Sequence, residues 1–308
     1  MRELWVEQYR PKKVGEYVFR DEKQRKQVQS WLDSGAIPHL LFSGAAGTGK
    51  TTLAKVLLHE LEVDWGDVLF INASVENGVD EIRNRINDFA TTMPFGDFKY
   101  VLMDEADYLS PNAQAALRGV MERYSNSCRF LLTCNYPHKI IPAIHSRCQG
   151  FHIEKLDRTE FTARIAQILL DEGVDFEIET LDVYVTAAYP DMRKCIGMAQ
   201  QNSQDGVLSV PNVEETGTSD YKVQMIALFR EGKIKEARAL ICKQADPEEY
   251  DGIYRFLYEN ISIWGDDYDK QSRAVIVIRN GLVNDSLVAD REINLSATLI
   301  ELELLAME

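Results

Sequence analysis

The sequence lacks paired cysteines and long apolar runs. Its five cysteines are scattered and form no C-x-x-C pair, which argues against a zinc ribbon or a thioredoxin-like redox site. An odd number without framework spacing predicts reduced thiols, most of them small core residues. No apolar run approaches the ~18 residues of a membrane span, and the first residues are too polar for a signal peptide. We therefore expect a cytoplasmic protein that contacts no membrane.

The sequence also has fewer basic than acidic residues, and this imbalance differs between its two halves. The 308 residues include 34 Lys and Arg and 49 Asp and Glu, which gives a net charge of −15. Taken alone, this argues against a protein that coats nucleic acid. Residues 1–155 carry 19 basic and 20 acidic side chains, whereas residues 156–308 carry 15 and 29. One half is therefore nearly neutral and the other strongly acidic. The ordinary composition, 45% hydrophobic and 27% charged, excludes a disordered or fibrous chain.

Hydrophobic patterning divides the chain at about residue 155. Before it, short apolar runs alternate with helical patterns, which predicts a parallel sheet covered by helices on both faces. The predicted strands are 39–43, 68–71, 100–104, 129–134 and 150–154. After it, helical segments follow one another, with a predicted linker at 205–219. We predict three domains: an α/β domain over 1–155, a small helical domain with the linker over 156–218, and a helical domain over 219–308.

The strongest motif lies between the first predicted strand and the next helix. It reads Gly44-Ala45-Ala46-Gly47-Thr48-Gly49-Lys50-Thr51, followed by Thr52. This fits the phosphate-binding pattern G-x-x-x-x-G-K-[ST], in which glycines let main-chain N–H groups wrap phosphates at a helix N-terminus. Lys50 would supply positive charge to the β and γ phosphates, and the Thr51 hydroxyl would ligate Mg²⁺.

Further candidate residues follow other predicted strands. Asp104 and Glu105 end the third strand, where Asp104 would hold Mg²⁺ and Glu105 would polarise the attacking water. Asn135 ends the fourth strand; it is placed to bond the water or the γ-phosphate, although an Asn there is usually a turn residue. Arg147 and Arg193 are candidates to stabilise phosphoryl charge, against the usual interpretation of an isolated arginine as a surface residue.

In this order and spacing, the motifs resemble one family. The chain is similar to the small subunit of a DNA clamp loader, an AAA+ ATPase of the archaeal, eukaryotic (replication factor C) or T-even-phage type. The segments that carry the resemblance also include Trp5-Val6-Glu7-Gln8-Tyr9-Arg10-Pro11, Ile37 to Phe42, Ala113 to Arg118 and Ser146-Arg147-Cys148. The Ser-Arg-Cys triplet and the Tyr-Arg-Pro start discriminate best among AAA+ groups.

The resemblance implies a fold and a set of roles. The fold is an α/β P-loop AAA+ module followed by a small helical lid and an all-α C-terminal collar for subunit assembly. ATP and Mg²⁺ would be bound and ATP hydrolysed. Asn135 would be sensor 1, Arg193 sensor 2, and Arg147 a finger that reaches a neighbouring subunit's ATP. The adenine pocket would be lined by Val6, Tyr9, Arg10 and Pro11. The implied partners are other subunits in a ring or spiral of five, a sliding clamp and primer–template DNA.

The sequence departs from the family pattern in two places. The phosphate loop has Ala45-Ala46 where the family usually has two prolines, which loosens the loop but removes no phosphate donor. Gly119 follows Arg118 where a second arginine is usual, which weakens that helix. Short spacers and a divergent C-terminal third favour a phage protein, whose location would be the host cytoplasm.

Contacts to DNA and to the clamp are less defined by the sequence. Family members touch DNA phosphates through helix N-termini of the α/β domain, and the matching helix makes Arg83 and Arg85 the candidates. The alternative is a mixed, solvated helix face. The helix after Asp107 would dock on the clamp through Met121 and Tyr124, unless both belong to the core. We expect basic residues to gather on the inner face of 1–155, with the acidic collar away from DNA.

Three other functions compete with a clamp loader. A helicase loader or branch-migration motor would need a winged helix or a pore loop, and neither is evident. A scaffold subunit with a vestigial site is disfavoured by the intact Lys50, Thr51, Asp104, Glu105 and Arg147. A small-molecule kinase would need no finger in trans and would not respond to DNA.

Overall fold

The described chain forms two compact units. The structure is a computed structural model, and it describes residues 4–76, 78–203, 205–210, 221–265 and 267–307. The first unit comprises residues up to Gly173 together with Ala188–Gln200, and the second comprises Val174–Ala187 together with Gln201 onward. Of the predicted linker, residues 211–219 lie outside the described residues. The finer division into three domains stays a prediction.

The first unit contains a five-stranded parallel sheet. Its strands are β1 Leu40–Gly44, β2 Val68–Asn72, β3 Lys99–Asp104, β4 Cys128–Cys134 and β5 Gln149–Ile153. They lie in the order β2-β3-β4-β1-β5, so β1 is flanked by two strands that follow it in the chain. Every residue of β1 is buried. Such strands are continuous apolar runs because helices cover both faces of a parallel sheet.

Helices alternate with these strands and continue beyond them. Their bounds are α1 Trp5–Gln8, α2 Glu22–Asp33, α3 Lys50–Glu60, α4 Val79–Thr91, α5 Pro111–Arg123, α6 Pro142–His145, α7 Arg158–Asp171, α8 Ile178–Ala188, α9 Met192–Gln201, α10 Tyr221–Arg230, α11 Ile234–Gln244, α12 Tyr250–Glu259, α13 Tyr268–Asp285 and α14 Arg291–Met307. Several begin at side-chain caps, for example Asp21 before α2, Ser110 before α5 and Asp157 before α7. Such caps satisfy amide groups that the first helical turn leaves unbonded.

One core cluster of the first unit lies between the sheet and helices α4 and α5. Its most buried members include Ile86 on α4, Leu117 on α5 and Phe130 on β4. This packing holds the carboxyl ends of β1, β3 and β4 at one edge of the sheet, where a parallel fold binds its ligands.

The second unit is helical. Its largest fully buried side chains include Tyr250, Tyr254 and Trp264. Helices α13 and α14 pack closely at Gly281, where a Cβ atom would lie 2.3 Å from Oγ1 of Thr298. Large apolar side chains remain exposed on this pair, among them Leu282 on α13 and Ile293 on α14. Within the described residues, no helix is long and apolar enough to cross a membrane.

The predicted fold class is confirmed. All five predicted strands and the alternating helices are present, and the described residues from 221 onward are helical. The main differences are at element ends. The first strand begins at Leu40 rather than His39. On the side of β4, the amide of Phe130 donates to the His39 ring instead of to main chain.

Candidate active site

Strand order brings the predicted site residues together. The phosphate loop follows β1, Asp104 ends β3, and Asn135 follows β4. Their side chains line one polar pocket of about 860 Å³ of empty space. Its lining includes Arg10, Gly47, Lys50, Thr51, Asp104, Glu105, Thr133, Asn135 and Arg193. The predicted residues from three strand ends therefore share one pocket.

The phosphate loop depends on glycine at three positions. Gly47 and Gly49 have φ angles of +73° and +84°, a region that other residues rarely adopt. A Cβ atom on Gly47 would lie 1.9 Å from a carboxylate oxygen of Asp191, and one on Gly44 would lie 2.0 Å from the carbonyl oxygen of Ile153. The Tyr17 hydroxyl donates to the carbonyl of Thr48 at 3.0 Å. The loop is thus held from several sides in a conformation suited to phosphate.

Lys50 is a buried cation at the start of α3. Its ammonium group donates to the carbonyl oxygens of Gly44 at 3.0 Å and Ala45 at 2.7 Å. Burial lowers the pKa of Lys50, an effect that the negative charge of Asp104 partly opposes. A phosphate oxygen is a stronger acceptor than a carbonyl because it carries charge. The ammonium group is therefore placed to exchange these bonds for phosphate bonds.

Thr51 and Asp104 meet across the mouth of the pocket. The Thr51 hydroxyl donates to Oδ1 of Asp104 at 2.5 Å. Both groups are hard oxygen donors of the kind that Mg²⁺ prefers, and Mg²⁺ commonly uses one or two protein ligands together with nucleotide phosphates. The described residues hold no cluster of three or more His, Cys, Asp or Glu side chains suited to a metal. These two residues accordingly fit a magnesium ion held jointly with a nucleotide.

Glu105 follows Asp104 in an uncommon backbone conformation. Its φ and ψ angles are 56° and 43°, the left-handed region. Its amide donates to Oγ1 of Thr133 at 3.0 Å, and the same hydroxyl donates to Oδ1 of Asp104 at 2.6 Å. Thr133 is not among the residues that the sequence predicts for the site. The available signal was its place at the end of β4, one strand away from Asp104.

Asp107 lies in the interior behind Asn135. It is 6% exposed, and its Oδ2 accepts from the amides of Asn135 at 3.2 Å and Tyr136 at 3.1 Å. Its Oδ1 has no hydrogen-bond partner within the described residues. The carboxylate thus anchors the main chain that carries Asn135. The sequence alone does not reveal this role of Asp107, because a carboxylate after a strand is usually solvated.

The N-terminal segment lines a second pocket beside the phosphate loop. Val6, Tyr9, Arg10 and Pro11 border about 640 Å³ of empty space, together with Gly49, Thr52 and Ile196. The Tyr9 hydroxyl donates to Glu172 at 2.8 Å, and burial and that bond raise the pKa of Tyr9 to about 12. The segment is therefore fastened to α7, and a mostly apolar pocket of this kind suits a nucleobase.

Arg193 lies between the two pockets and lines both. It stands in the first turn of α9, whose start contacts the phosphate loop through a bond from the amide of Met192 to the carbonyl of Gly47 at 3.3 Å. Asp191 caps this helix by accepting from the amide of Lys194 at 2.9 Å. No hydrogen bond or ion pair joins Arg193 to another described residue, and its side chain is exposed.

Arg147 does not line either pocket. It follows α6, and its guanidinium pairs with the carboxylate of Glu122 on α5. It also donates to the carbonyl of Ala143 at 2.6 Å. About a third of the side chain is exposed. Within one chain, Arg147 is therefore separate from the phosphate site.

The two predicted DNA contacts differ in their surroundings. Arg83 is exposed on the first half of α4. Arg85 is half-buried and forms an ion pair with Glu76. Of the two, Arg83 is the side chain whose charge is open to a phosphate backbone.

The suggested clamp contacts on α5 are largely internal. Met121 is 1% exposed and belongs to the core, and Tyr124 packs against that core. A contact from Met121 to a clamp is excluded by this burial.

All five cysteines are free, and Cys128, Cys134 and Cys195 are buried. Burial raises the pKa of the Cys134 and Cys195 thiols to about 12, so neither is a nucleophile at neutral pH.

Comparisons with known proteins find relatives of the whole chain and of its fold. The profile described as "ATPase family associated with various cellular activities (AAA)" matches residues 40–156. The replication factor C small subunit of Methanococcus vannielii is 39% identical, over 79% of this chain and 79% of that protein. That of Methanococcus maripaludis is 36% identical, over 86% and 81%. The Thermotoga maritima RuvB Holliday junction branch migration motor superposes with a TM-score of 0.53 at 17% identity, over 64% of this chain and 65% of that one. This last likeness concerns the fold alone.

Proposed function

The chain belongs to the replication factor C small subunit family of AAA ATPases, and on that basis we propose that it is an ATPase subunit of a sliding-clamp loader in DNA replication. ATP binding would assemble it with other subunits in a ring or spiral of five that opens a ring-shaped clamp. Primer–template DNA would then trigger hydrolysis and release. This clamp-loading reaction would take place in the cytoplasm.

One observation carries the hydrolytic part of this proposal. Lys50, Thr51, Asp104 and Glu105 come from different strand ends and line the same pocket. Catalysis of phosphoryl transfer consists mainly of positioning and of stabilising charge, so a shared pocket is its chief structural requirement. The matching pocket beside the loop, bordered by Val6, supports binding of the base of the same nucleotide.

Each residue has a role that its chemistry and position support. Lys50 and Arg193 would neutralise charge on the phosphates. Thr51 and Asp104 would hold Mg²⁺, which screens phosphate charge when bound. The Glu105 carboxylate would accept a proton from the attacking water, while the Asn135 amide orients that water or the γ-phosphate.

The position of Arg147, partly exposed and outside both pockets, supports a role at a neighbouring subunit's site. It lies outside the pocket of its own chain, so it can stabilise a transition state only across an interface. Glu122 would hold its guanidinium until the neighbour docks. This arrangement makes hydrolysis depend on assembly.

Arg83 at the start of α4 supports a contact to the DNA backbone. The contact would position the duplex without reading its sequence. The helical C-terminal unit, with its exposed apolar side chains on α13 and α14, supports assembly through a collar. A branch-migration motor is not supported, because described residues 221–265 and 267–307 contain no strand from which to build a winged helix.

The decisive experiment measures ATP turnover with and without primer–template DNA and a sliding clamp. A clamp loader is expected to be stimulated by the two together more than by either alone. Stimulation by DNA alone would indicate a motor or helicase loader. Turnover that ignores DNA would indicate a kinase or another small-molecule enzyme. The absence of any turnover, with ATP still bound, would indicate a scaffold subunit.

A further inference from the structure

The hydroxyl of Thr133 joins the two acidic residues of the site. Thr133 is 1% exposed near the end of β4. Its Oγ1 donates to Oδ1 of Asp104 at 2.6 Å and accepts from the amide of Glu105 at 3.0 Å. One buried atom therefore contacts both consecutive residues of the acidic pair.

Strand register explains why a residue of β4 reaches this pair. Met103 on β3 lies opposite Leu132 on β4, so the next residue along each strand, Asp104 and Thr133, are also neighbours. Thr133 in turn lies opposite Phe42 on β1, just before the phosphate loop. Thr133 is thus the residue of the central strands that borders both the acidic pair and the loop strand.

The bond to Glu105 holds an unfavourable main-chain conformation. The φ angle of Glu105 is 56°. This value is uncommon for a residue with a Cβ atom, and such conformations persist only where the surroundings hold them. The Thr133 hydroxyl satisfies the amide at this point. The direction in which the Glu105 side chain leaves the main chain therefore depends on Thr133.

The bond to Asp104 orients the carboxylate. Thr51 and Thr133 both donate to Oδ1, and no hydrogen bond joins Oδ2 to another described residue. Two donors on one oxygen fix the plane of the carboxylate and leave the second oxygen for the pocket. Groups that orient a metal ligand in this way commonly change metal affinity or activity by about 10- to 100-fold when removed.

We propose that Thr133 is a positioning residue for ATP hydrolysis: its hydroxyl sets the carboxylate of Asp104 for Mg²⁺ and the side chain of Glu105 for the attacking water. The proposal rests on the ATPase function proposed above. Thr133 would not bind ATP itself, so its loss should affect turnover and the Mg²⁺ requirement rather than nucleotide binding.

The test compares Thr133→Val, which removes the hydroxyl at nearly constant volume, with Thr133→Ser, which keeps it. Ser43→Ala is the matched control, because it removes another buried strand hydroxyl, bonded to His152, that does not line the pocket. For each full-length variant, kcat, the KM for ATP, the Mg²⁺ concentration for half-maximal turnover, and ATP binding in EDTA are measured. Thermal unfolding verifies that each variant is folded.

For Thr133→Val we expect kcat to fall about 10- to 100-fold. The KM for ATP and binding in EDTA should stay within twofold, and the Mg²⁺ requirement should rise. Thr133→Ser and Ser43→Ala should remain within about threefold of wild type. A valine variant with wild-type kcat and Mg²⁺ requirement would overturn the proposal, and so would equal losses in the valine and serine variants. If the valine variant does not fold, Thr133→Ala provides the same comparison. A wild-type chain without turnover would instead refute the proposed function.

Discussion

At the residue scale, His39 is a histidine whose environment opposes its protonation. Its ring accepts a hydrogen bond from the amide of Phe130, and burial, aided by the positive charge of Arg129, lowers its pKa to about 4. Protonation would remove the acceptor and place a charge between β1 and β4. The neutral ring is thus part of the structure that supports the phosphate loop.

The lowered pKa of His39 predicts that the free energy of unfolding depends on pH. Below about pH 6.5 the unfolded chain binds a proton at His39 that the folded chain does not bind until about pH 4, so acid favours unfolding over that interval. His39 alone should lower the free energy of unfolding by about 2 kcal/mol between pH 7.5 and pH 5. Urea titrations at the two pH values measure this change in the free energy of unfolding.

The matched variant is His39→Asn, whose Oδ1 can accept the same hydrogen bond but does not titrate in this range. We expect it to lose less stability than wild type over the same interval, by about 2 kcal/mol. Equal losses in the two proteins would show that His39 does not control this pH response.

At the element scale, Gln114 fastens α5 to the segment that leads to Arg147. It is 1% exposed and bonds three main-chain groups: the carbonyls of Leu109 at 3.1 Å and Lys139 at 2.9 Å, and the amide of Ile141 at 2.8 Å. Ile141 directly precedes α6. The Gln114 side chain therefore supplies the hydrogen bonds that these main-chain groups would otherwise make within a helix or a sheet.

Gln114→Ala should accordingly be strongly destabilising. Removing the amide leaves interior main-chain groups without partners, which we expect to cost about 3 kcal/mol of unfolding free energy. Gln29→Ala is the control, because among the described residues the Gln29 side chain bonds Asp33 alone, on the exposed face of α2. Its loss should cost less than about 0.5 kcal/mol. Chemical denaturation compares the two. A cost for Gln114→Ala no larger than that for Gln29→Ala would contradict this account.

Helix α4 provides the test of DNA contact. Arg83 is exposed, whereas Arg85 is engaged by Glu76. Arg83→Ala should weaken DNA binding and make it less dependent on salt, by about one unit in the log–log slope, because one phosphate contact is lost. Arg85→Ala should have the smaller effect. Unchanged DNA-stimulated turnover in the Arg83→Ala, Arg85→Ala double variant would exclude both residues from the DNA contact.

At the scale of the whole molecule, the separation of Arg147 from its own pocket predicts complementation between chains. Arg147→Ala should bind ATP and lose turnover by about 10³-fold or more. Glu105→Gln should also lose turnover, since it lacks the base. The Arg147→Ala chain retains Glu105, and the Glu105→Gln chain retains Arg147.

Mixed in equal amounts, the two variants should regain activity. Random pairing places a normal Glu105 site beside a normal Arg147 in about a quarter of interfaces, so about a quarter of wild-type turnover is expected. Mixtures of wild type with each variant calibrate the assembly. If Arg147 acted within its own chain, the mixture would stay inactive.

The sequence predicted the sheet and most of the site, for identifiable reasons. Buried parallel strands are continuous apolar runs, and polar residues immediately after them lie at the ligand-binding edge. Lys50, Asp104 and Asn135 could be located in this way. Thr133 and Gln114 could not, because their importance depends on which main-chain groups they meet, and those lie on other strands or loops. Met121 was ambiguous for the same reason, since helix periodicity does not reveal which neighbour covers a side chain.

By itself, the sequence determined the chemistry: a glycine-rich phosphate loop, a carboxylate pair after a strand, and an acidic helical C-terminal half. These follow from local patterns, because loop conformation, strand burial and charge depend on residues close in the chain. The tertiary structure alone decided which side chains hold the site in place. Strand order set Thr133 beside Asp104 and Glu105, and the fold placed Arg147 on Glu122, outside its own pocket. Such contacts join residues far apart in the chain, so the packing of the elements determines them.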